Sequence, residues 1–190
     1  MIFEDGTGDS YKAKVDEENR MHINSIAATP EHHINHHHGE AYNVLFDVNP
    51  DGAGDCIFYL KNNDDKDLII EGVWLQVSAA DEVYYKIGDT GTAVKTNGAD
   101  IVPVNLNAGS GHVADVTCYS NTANGAVDIT GISGGSIFQK IWITAAATTN
   151  FVNMEQDCIV PKNQTFTIYC VGGDVSIRGT VCFGFHKICD

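Results

Sequence analysis

The apolar residues of this chain come in short runs, rich in β-branched and aromatic side chains, with turn pairs between them. The turns contain Asn-Gly, Asp-Gly and Gly-Gly, and glycine supplies 19 of the 190 residues. This pattern is typical of β-strands that are joined by tight connections. In the segment IFQKIWIT, alternation predicts that Phe138, Lys140 and Trp142 share one strand face and that Ile141 and Ile143 share the other.

The pattern predicts nine strands from residue 41 onward. They are AYNVLFDV, CIFYLKN, LIIEGVWLQVS, EVYYKIG, VADVTCY, AVDIT, IFQKIWIT, TFTIYCV and VSIRGTVCFGF. No window of helical length shows a sustained apolar stripe, and strands do not alternate with helices. We therefore expect an all-β protein in which residues 41–190 form one antiparallel β-sandwich of the jelly-roll type.

Residues 1–40 differ in kind from this predicted sandwich. The segments YKAKV and RMHIN flank the turn-like DEEN, which predicts a small charged hairpin. A two-stranded hairpin is only marginally stable alone, so it needs a surface to lie on. We expect an extended N-terminal arm or hairpin over residues 1–40. The arm either docks on a neighbouring subunit or completes the sheet of its own subunit.

Five of the eight histidines lie between positions 32 and 38. The candidate metal ligands among them are His32, His33, His36 and His37. On one short helix they would form two i, i+4 pairs, a spacing that suits Zn, Ni or Cu. A complete site needs a third ligand, and the carboxylates nearby are Glu31 and Glu40. Because histidines in an exposed connecting segment are more often solvated or packed at an interface, we expect no metal and no cofactor here.

A metal-dependent jelly-roll enzyme is the enzymatic alternative. Cupin enzymes hold their metal with an H-x-H motif that a glutamate follows a few residues later. His36 and His38 supply H-x-H, but Glu40 follows too soon, and no second histidine motif appears downstream. The serine-hydrolase elbow, the P-loop and the H-E-x-x-H motif are absent from the sequence as well. We therefore expect a protein that is not an enzyme and has no catalytic residue.

The charge of the chain bears on its partners. Asp and Glu total 25 against 11 Lys and Arg, which gives a net charge of −14. Nucleic acid would have to bind against this field, so we expect no direct DNA or RNA partner. No stretch approaches the roughly 20 apolar residues of a bilayer span, and the first residues lack the pattern of a secretion signal. We therefore expect no membrane partner and no export by the usual route.

The cysteines and aromatic residues are expected to serve the fold. The six cysteines are scattered without C-x-x-C spacing, which favours buried free thiols over disulfides. Trp74 and Trp142 lie among aliphatic residues inside predicted strands, which predicts that both rings pack in the core. Tyr84 and Tyr85 are adjacent and must point to opposite faces, so one of them is a candidate exposed ring for a glycan site.

Several segments resemble a class of small virion proteins of tailed bacteriophages. DGTG at 5–8, AKV at 13–15 and NRM at 19–21 are similar to an opening D-G-T-G, A-K-V and N-R-L, with Met21 replacing the usual leucine. YLKNNDDKDL at 59–68 is similar to the strand-turn-strand pattern Y-L-K-N-x-x-D-x-D-L of that class. Within this class, the size, acidity and strand pattern are most similar to head-decoration proteins, which are also called capsid cement proteins.

The resemblance implies a structural protein on the phage capsid surface, assembled in the host cytoplasm, and it brings no catalytic residue. The implied partners are the major capsid protein or other virion proteins and further copies of the chain, with a homotrimer favoured. A cement protein stabilises a shell by burying roughly 1,000 Å² or more per contact, repeated by symmetry. A tail- or neck-associated module that binds a receptor or a glycan is the alternative function.

Overall fold

The strands of this protein begin and end close to the apolar runs of its sequence. The computed structural model describes residue 35 and residues 38–144, 148–173 and 175–186, except for the side chains of 155–157. The strands in these residues are β1 (Ala41–Pro50), β2 (Cys56–Asn62), β3 (Asp67–Val77), β4 (Asp81–Ile87), β5 (Thr90–Thr96), β6 (Ala99–Asp100), β7 (Val104–Asn105), β8 (Val116–Ser120), β9 (Gly125–Ser133), β10 (Ser136–Ile143), β11 (Asn150–Val160), β12 (Thr165–Cys170) and β13 (Ile177–His186). The predicted hairpin lies outside the described residues, so the arm and the boundary at residue 40 stay predictions.

Eight of these strands form a jelly roll. The first four strands pair antiparallel with the last four, β1 with β13, β2 with β12, β3 with β11 and β4 with β10. Because β13 also pairs with β3 and β12 with β4, the strand orders are β11-β3-β13-β1 in one sheet and β10-β4-β12-β2 in the other. Two facing sheets made by rolling up one long hairpin are the jelly-roll arrangement. The expectation of an antiparallel jelly-roll sandwich is confirmed.

The strands β5 to β9 form an insertion between β4 and β10 that widens both sheets. β9 pairs in parallel with β1 at Val48, Asn49 and Pro50 and carries β5 on its outer side. β8 pairs with β2 and carries β6. The other end of β1 pairs with β7 at Tyr42 and Asn43. The insertion therefore covers the β1 and β2 edges of the sandwich, and β11 and β10 are the outermost strands on the opposite side.

Aromatic rings join the two sheets across the core. The ring centroid of Phe46 on β1 lies 5.4 Å from that of Phe58 on β2, and Phe58 lies 6.3 Å from Phe166 on β12. Tyr85 on β4 continues the series, 6.1 Å from Phe166. All four side chains are buried. Phe58, Phe166 and Tyr85 belong to one sheet and Phe46 to the other, so the contact between Phe46 and Phe58 crosses the core. Each fully buried ring contributes about 3 kcal/mol through the hydrophobic effect.

A β-bulge corrects the predicted faces of β10. Alternation predicts Phe138 on the same face as Trp142. The register between β10 and β4 shifts just before Gln139, and the ring of Phe138 lies 6.3 Å from the rings of Tyr85 and Phe166. Because a bulge adds one residue to a strand, it turns the side chains before it to the opposite face.

Both tryptophans are exposed, so the prediction of core packing is wrong for each. Trp74 on β3 exposes 45% of its surface and Trp142 on β10 exposes 61%. The neighbours Val73 and Leu75 fill the core on one face of β3, and strand alternation then turns Trp74 outward.

The outer face of β12 is covered, because a buried carboxylate holds two turns against it. The hydroxyl of Thr167 donates to Asp89 Oδ2 over 2.7 Å, and Lys86 Nζ lies 2.8 Å from Asp89 Oδ1. The amide of Gly135 donates to the same Oδ1 over 2.9 Å, and the hydroxyl of Thr165 donates to the Asp89 carbonyl over 3.0 Å. Asp89 thus fastens the turn between β4 and β5 and the turn between β9 and β10 onto β12. Thr165 and Thr167, which lie on this face, are buried.

The pKa of Asp89 links this contact to pH. Burial raises the pKa of Asp89, but the hydrogen bonds from Lys86, Thr167 and the Gly135 amide lower it by more, so the pKa lies below its usual value. A carboxyl group of this kind stabilises the fold above its unfolded-state pKa of about 3.9. That stabilisation is lost as the pH falls through the lower pKa of the folded state.

We expect Asp89→Asn to lower the free energy of unfolding by about 3 kcal/mol at pH 7, because Lys86 loses its ionised partner. The difference in free energy of unfolding between the variant and the unmodified protein should narrow as the pH falls below about 3.9. It narrows because the carboxylate of Asp89 becomes protonated as the pH falls through its lower folded-state pKa. Urea unfolding between about pH 3 and pH 8 measures both effects. Asp100→Asn is the matched control, since it removes the exposed ion pair with Lys95 and should cost no more than about 1 kcal/mol. An Asp89→Asn difference that does not change with pH would contradict the expectation.

Candidate functional site

The histidine stretch is only partly described. The candidate ligands His32, His33, His36 and His37 lie outside the described residues, so the expectation that they hold no metal stays a prediction. His38 is described and exposed, and His112 Nδ1 lies 3.9 Å from Glu40 Oε1. In the part of the chain that the structure describes, no three His, Cys, Asp or Glu side chains lie close enough together to share a metal ion.

The loop of residues 101–114 holds the point where the N-terminal segment joins the sandwich. The carbonyl of Gly39 accepts hydrogen bonds from Asn105 Nδ2 over 2.7 Å and from Ser110 Oγ over 3.0 Å. Asn107 Nδ2 donates to the carbonyl of Asn35 over 3.0 Å. Gly39 has a φ of 61°, and a Cβ there would lie 2.5 Å from Ser110 Oγ, so both the backbone and the space require glycine. These contacts fix the positions of Asn35 and Gly39 against residues 105–110.

The same loop exposes a stripe of aliphatic side chains. Its exposed side chains are Val102 at 75%, Val104 at 55%, Leu106 at 47% and Val113 at 81%. Residues 102, 104 and 106 point outward while 101, 103, 105 and 107 face the body, as in an extended strand. No Asp or Glu occurs in residues 101–114, although the chain has 25 acidic residues. We call residues 101–114 the apolar loop, and an uncharged aliphatic surface of this kind is suited to contact with another protein.

A second exposed feature lies on the outer face of the β11-β3-β13-β1 sheet. Cross-strand pairing places two rows of side chains next to each other on this face. The members are Leu45, Thr180, Trp74 and Phe151 in the first row and Asp47, Arg178 and Gln76 in the second. The ring centroids of Trp74 and Phe151 lie 4.4 Å apart at an interplanar angle of 31°. A cavity of about 400 Å³, which we call the outer cleft, is lined by the members of these two rows other than Phe151.

The polar row of the outer cleft contains an ion pair with an unsatisfied oxygen. Arg178 Nε donates to Asp47 Oδ2 over 2.9 Å. Asp47 Oδ1 is buried and has no hydrogen-bond partner among the described residues. The side chains of Thr122, Thr149 and Thr180 add hydroxyl groups around the cavity. The cleft therefore offers acceptors and donors beside two exposed aromatic rings.

The tyrosine pair predicted as a glycan candidate does not form an open platform. Tyr85 is buried and Tyr84 points to the outer face, as their adjacency predicts. Tyr84 stacks on Tyr169 with the ring centroids 5.1 Å apart, and Lys140 Nζ lies 5.7 Å from its centroid. Because Tyr169 and Lys140 are its cross-strand neighbours on either side, the ring of Tyr84 is flanked in both directions.

The described cysteines are free, as the sequence predicts. Cys56, Cys118, Cys158 and Cys170 are buried and Cys182 is half-buried, whereas Cys189 lies outside the described residues. Burial raises the pKa of the Cys158 thiol and of the Cys170 thiol to about 12. At neutral pH these two thiols are therefore protonated and are poor nucleophiles.

No family model matches the chain, and no curated protein and no solved structure matches it either. Within residues 38–144, 148–173 and 175–186, no helix is long and apolar enough to cross a membrane. Function must therefore be inferred from the fold and from the two surfaces described above.

Sequence reasoning missed the outer cleft for two reasons. It assigned Trp74 to the core because aliphatic residues surround it, and it did not predict β11, which carries Phe151. The sequence did contain a signal, which is the alternation of side chains along a strand. Val73, Trp74 and Leu75 are consecutive apolar residues, so Trp74 must point to the face opposite Val73 and Leu75. The choice between the two faces depends on pairing with distant strands.

We expect Trp74→Ala and Trp142→Ala each to lower the free energy of unfolding by no more than about 1 kcal/mol, because neither ring fills the core. Phe58→Ala should cost about 4 kcal/mol, since it removes a fully buried ring between the sheets. Urea unfolding followed by circular dichroism measures all three variants. A loss of about 3 kcal/mol or more for either tryptophan variant would show that its ring belongs to the core.

Proposed function

We propose that this protein is a non-enzymatic structural component of a tailed-phage virion, which decorates the capsid and stabilises it through contacts between subunits. The observation that carries the proposal is the apolar loop, whose aliphatic side chains are exposed and which contacts Asn35 and Gly39. The resemblance of residues 5–21 and 59–68 to phage virion proteins supports the virion context. The proposed partners are further copies of the chain and the major capsid protein.

Charge supports the choice of the apolar loop as the contact between copies. Each copy carries a net charge of −14, so two copies repel each other wherever their acidic surfaces meet. The apolar loop contains no acidic residue, and a contact centred on it avoids this repulsion. Burial of Val102, Val104, Leu106 and Val113 then supplies the favourable free energy.

The size of a stable interface supports a role for the N-terminal segment. Four aliphatic side chains cover only part of the roughly 1,000 Å² that a specific interface buries. In the proposed homotrimer, residues 1–34 start beside the apolar loop and extend the contact onto a neighbouring copy. Three linked copies can then bind a symmetric site on the capsid together, which multiplies modest individual affinities.

We expect the full chain to form a homo-oligomer, with a trimer of three 20.5 kDa subunits favoured, and the double variant Val102→Asp with Val113→Asp to be monomeric. The added charges would place like charges in the contact. Size-exclusion chromatography with light scattering measures both masses. Val94→Asp is the matched control, because Val94 is an exposed valine on β5 outside the apolar loop. A monomeric full chain, or a double variant with unchanged mass, would contradict the proposed contact.

The virion location has its own test. The chain should be found by mass spectrometry in density-purified particles of the phage that encodes it. Particles assembled without the chain should release their DNA at a lower temperature, and the purified full chain should restore the difference. Full stability of particles that lack the chain would contradict the stabilising role.

A further inference from the structure

We propose that the outer cleft binds neutral carbohydrate, with Trp74 as the stacking ring and with Asp47 and Arg178 as the groups that bind hydroxyls. This inference does not depend on the proposed assembly role, because it concerns other residues and another ligand. The apolar loop pairs with β1 at Tyr42 and Asn43, whereas the cleft uses the outward residues of β1 from Leu45 to Asp47.

The first argument is the match between the two rows and the two kinds of surface on a sugar ring. A pyranose has an apolar face of C–H groups and a rim of hydroxyls. Trp74 lines the cleft and exposes 45% of its surface, which gives the apolar face a platform. Phe151 packs on the side of Trp74 away from Thr180 and supports its ring. The polar row lies two residues further along the strands, at a distance of roughly 7 Å, within reach of hydroxyls on the rim.

The second argument is the hydrogen-bonding chemistry of the polar row. A sugar hydroxyl both donates and accepts, so it binds well where a carboxylate and a guanidinium lie together. Arg178 uses Nε on Asp47 Oδ2, and its guanidinium carries four further N–H groups. The hydroxyls of Thr122, Thr149 and Thr180 line the same cavity and can donate to or accept from further sugar hydroxyls.

Charge selects neutral sugars over anionic ligands. The guanidinium of Arg178 is paired with the carboxylate of Asp47, so the cleft offers no unpaired cation among its lining residues. The net charge of −14 repels sulfated sugars, sialylated sugars and nucleic acid. A neutral hexose or N-acetylhexosamine meets no such repulsion.

The shape of the site favours a small ligand over a second copy of the chain. The cavity of about 400 Å³ falls within the range of small-molecule sites. Covering the cleft with another protein would desolvate the Asp47–Arg178 ion pair, and that desolvation is unfavourable.

The test uses the full chain on an array of neutral oligosaccharides built from hexoses, deoxyhexoses and N-acetylhexosamines, with sialylated and sulfated oligosaccharides on the same array. Oligosaccharides that bind are then titrated in solution against Trp142→Phe. The chain has two tryptophans, so this variant leaves Trp74 as the only indole reporter. We expect saturable binding of a subset of the neutral oligosaccharides and a change in Trp74 fluorescence that follows it.

Matched variants locate the binding. Trp74→Ala should weaken the affinity by about tenfold or more, because the stacking platform is lost. Trp142→Ala is the control, an exposed tryptophan on the other sheet, and should change the affinity by less than about twofold. Asp47→Asn and Arg178→Lys keep the size of the side chains and should each weaken binding by about fivefold or more. Unfolding in urea checks that every variant is folded. If Trp74→Ala is not folded, Asp47→Asn and Arg178→Lys decide whether the cleft binds the sugar.

Four results would overturn the inference. The first is that no neutral oligosaccharide on the array binds, and the second is that the protein prefers the anionic oligosaccharides. The third is that a folded Trp74→Ala variant binds with the same affinity as the unmodified protein. The fourth is that Trp74→Ala no longer forms the oligomer while no sugar binds at all. The last result would show that a second copy of the chain occupies the cleft. The oligomer test with the apolar-loop variant is separate, so the two proposals can fail independently.

Discussion

Side-chain packing between the sheets is the interaction on which the rest of this structure depends. Phe46 of one sheet packs on Phe58 of the other across the core, and Phe166 and Tyr85 lie beside Phe58 on the inner face of the second sheet. Because these rings must face inward, they fix which side chains of each of their strands point to the core. The neighbouring residues on either side of each ring must then face outward. Asp47 points into the outer cleft because Phe46 and Val48 occupy the core. The chemistry of the surface is therefore a direct consequence of how the interior is filled.

A single carboxylate plays the corresponding part on the outer side of the second sheet. Burial of Asp89 alone would be unfavourable, and its contacts with Lys86, Thr167 and the Gly135 amide offset that cost. The contacts join two turns and one strand that lie far apart in the sequence. The large insertion between β4 and β10 is thereby held at both of its ends, so that it widens the sheets without loosening the jelly roll.

Much of the fold is predictable from the sequence, because strong alternation identifies the inner strands. The predicted strand CIFYLKN coincides with β2, and β1, β3, β4, β10 and β12 deviate from their predictions by no more than two residues at either end. β11 was missed because the polar run Glu155-Gln156-Asp157 interrupts its pattern, at the place where its register with β3 shifts. β5 was missed because it is mostly exposed and poor in apolar residues. The outer cleft could not be predicted, since its rows combine four strands whose register is set by contacts between distant parts of the chain.

The pairing of the first strand with the last has a consequence for how this protein is made. β13 lies between β1 and β3, so neither of them gains its central neighbour until Ile177–His186 has left the ribosome. Until then, the nascent chain holds apolar strands with unpaired backbone groups, a state in which chains tend to aggregate. Folding must then wait for the whole polypeptide and proceed through long-range pairing, which is intrinsically slow. The greatest demand on chaperones therefore falls during synthesis, before the last strand has been made.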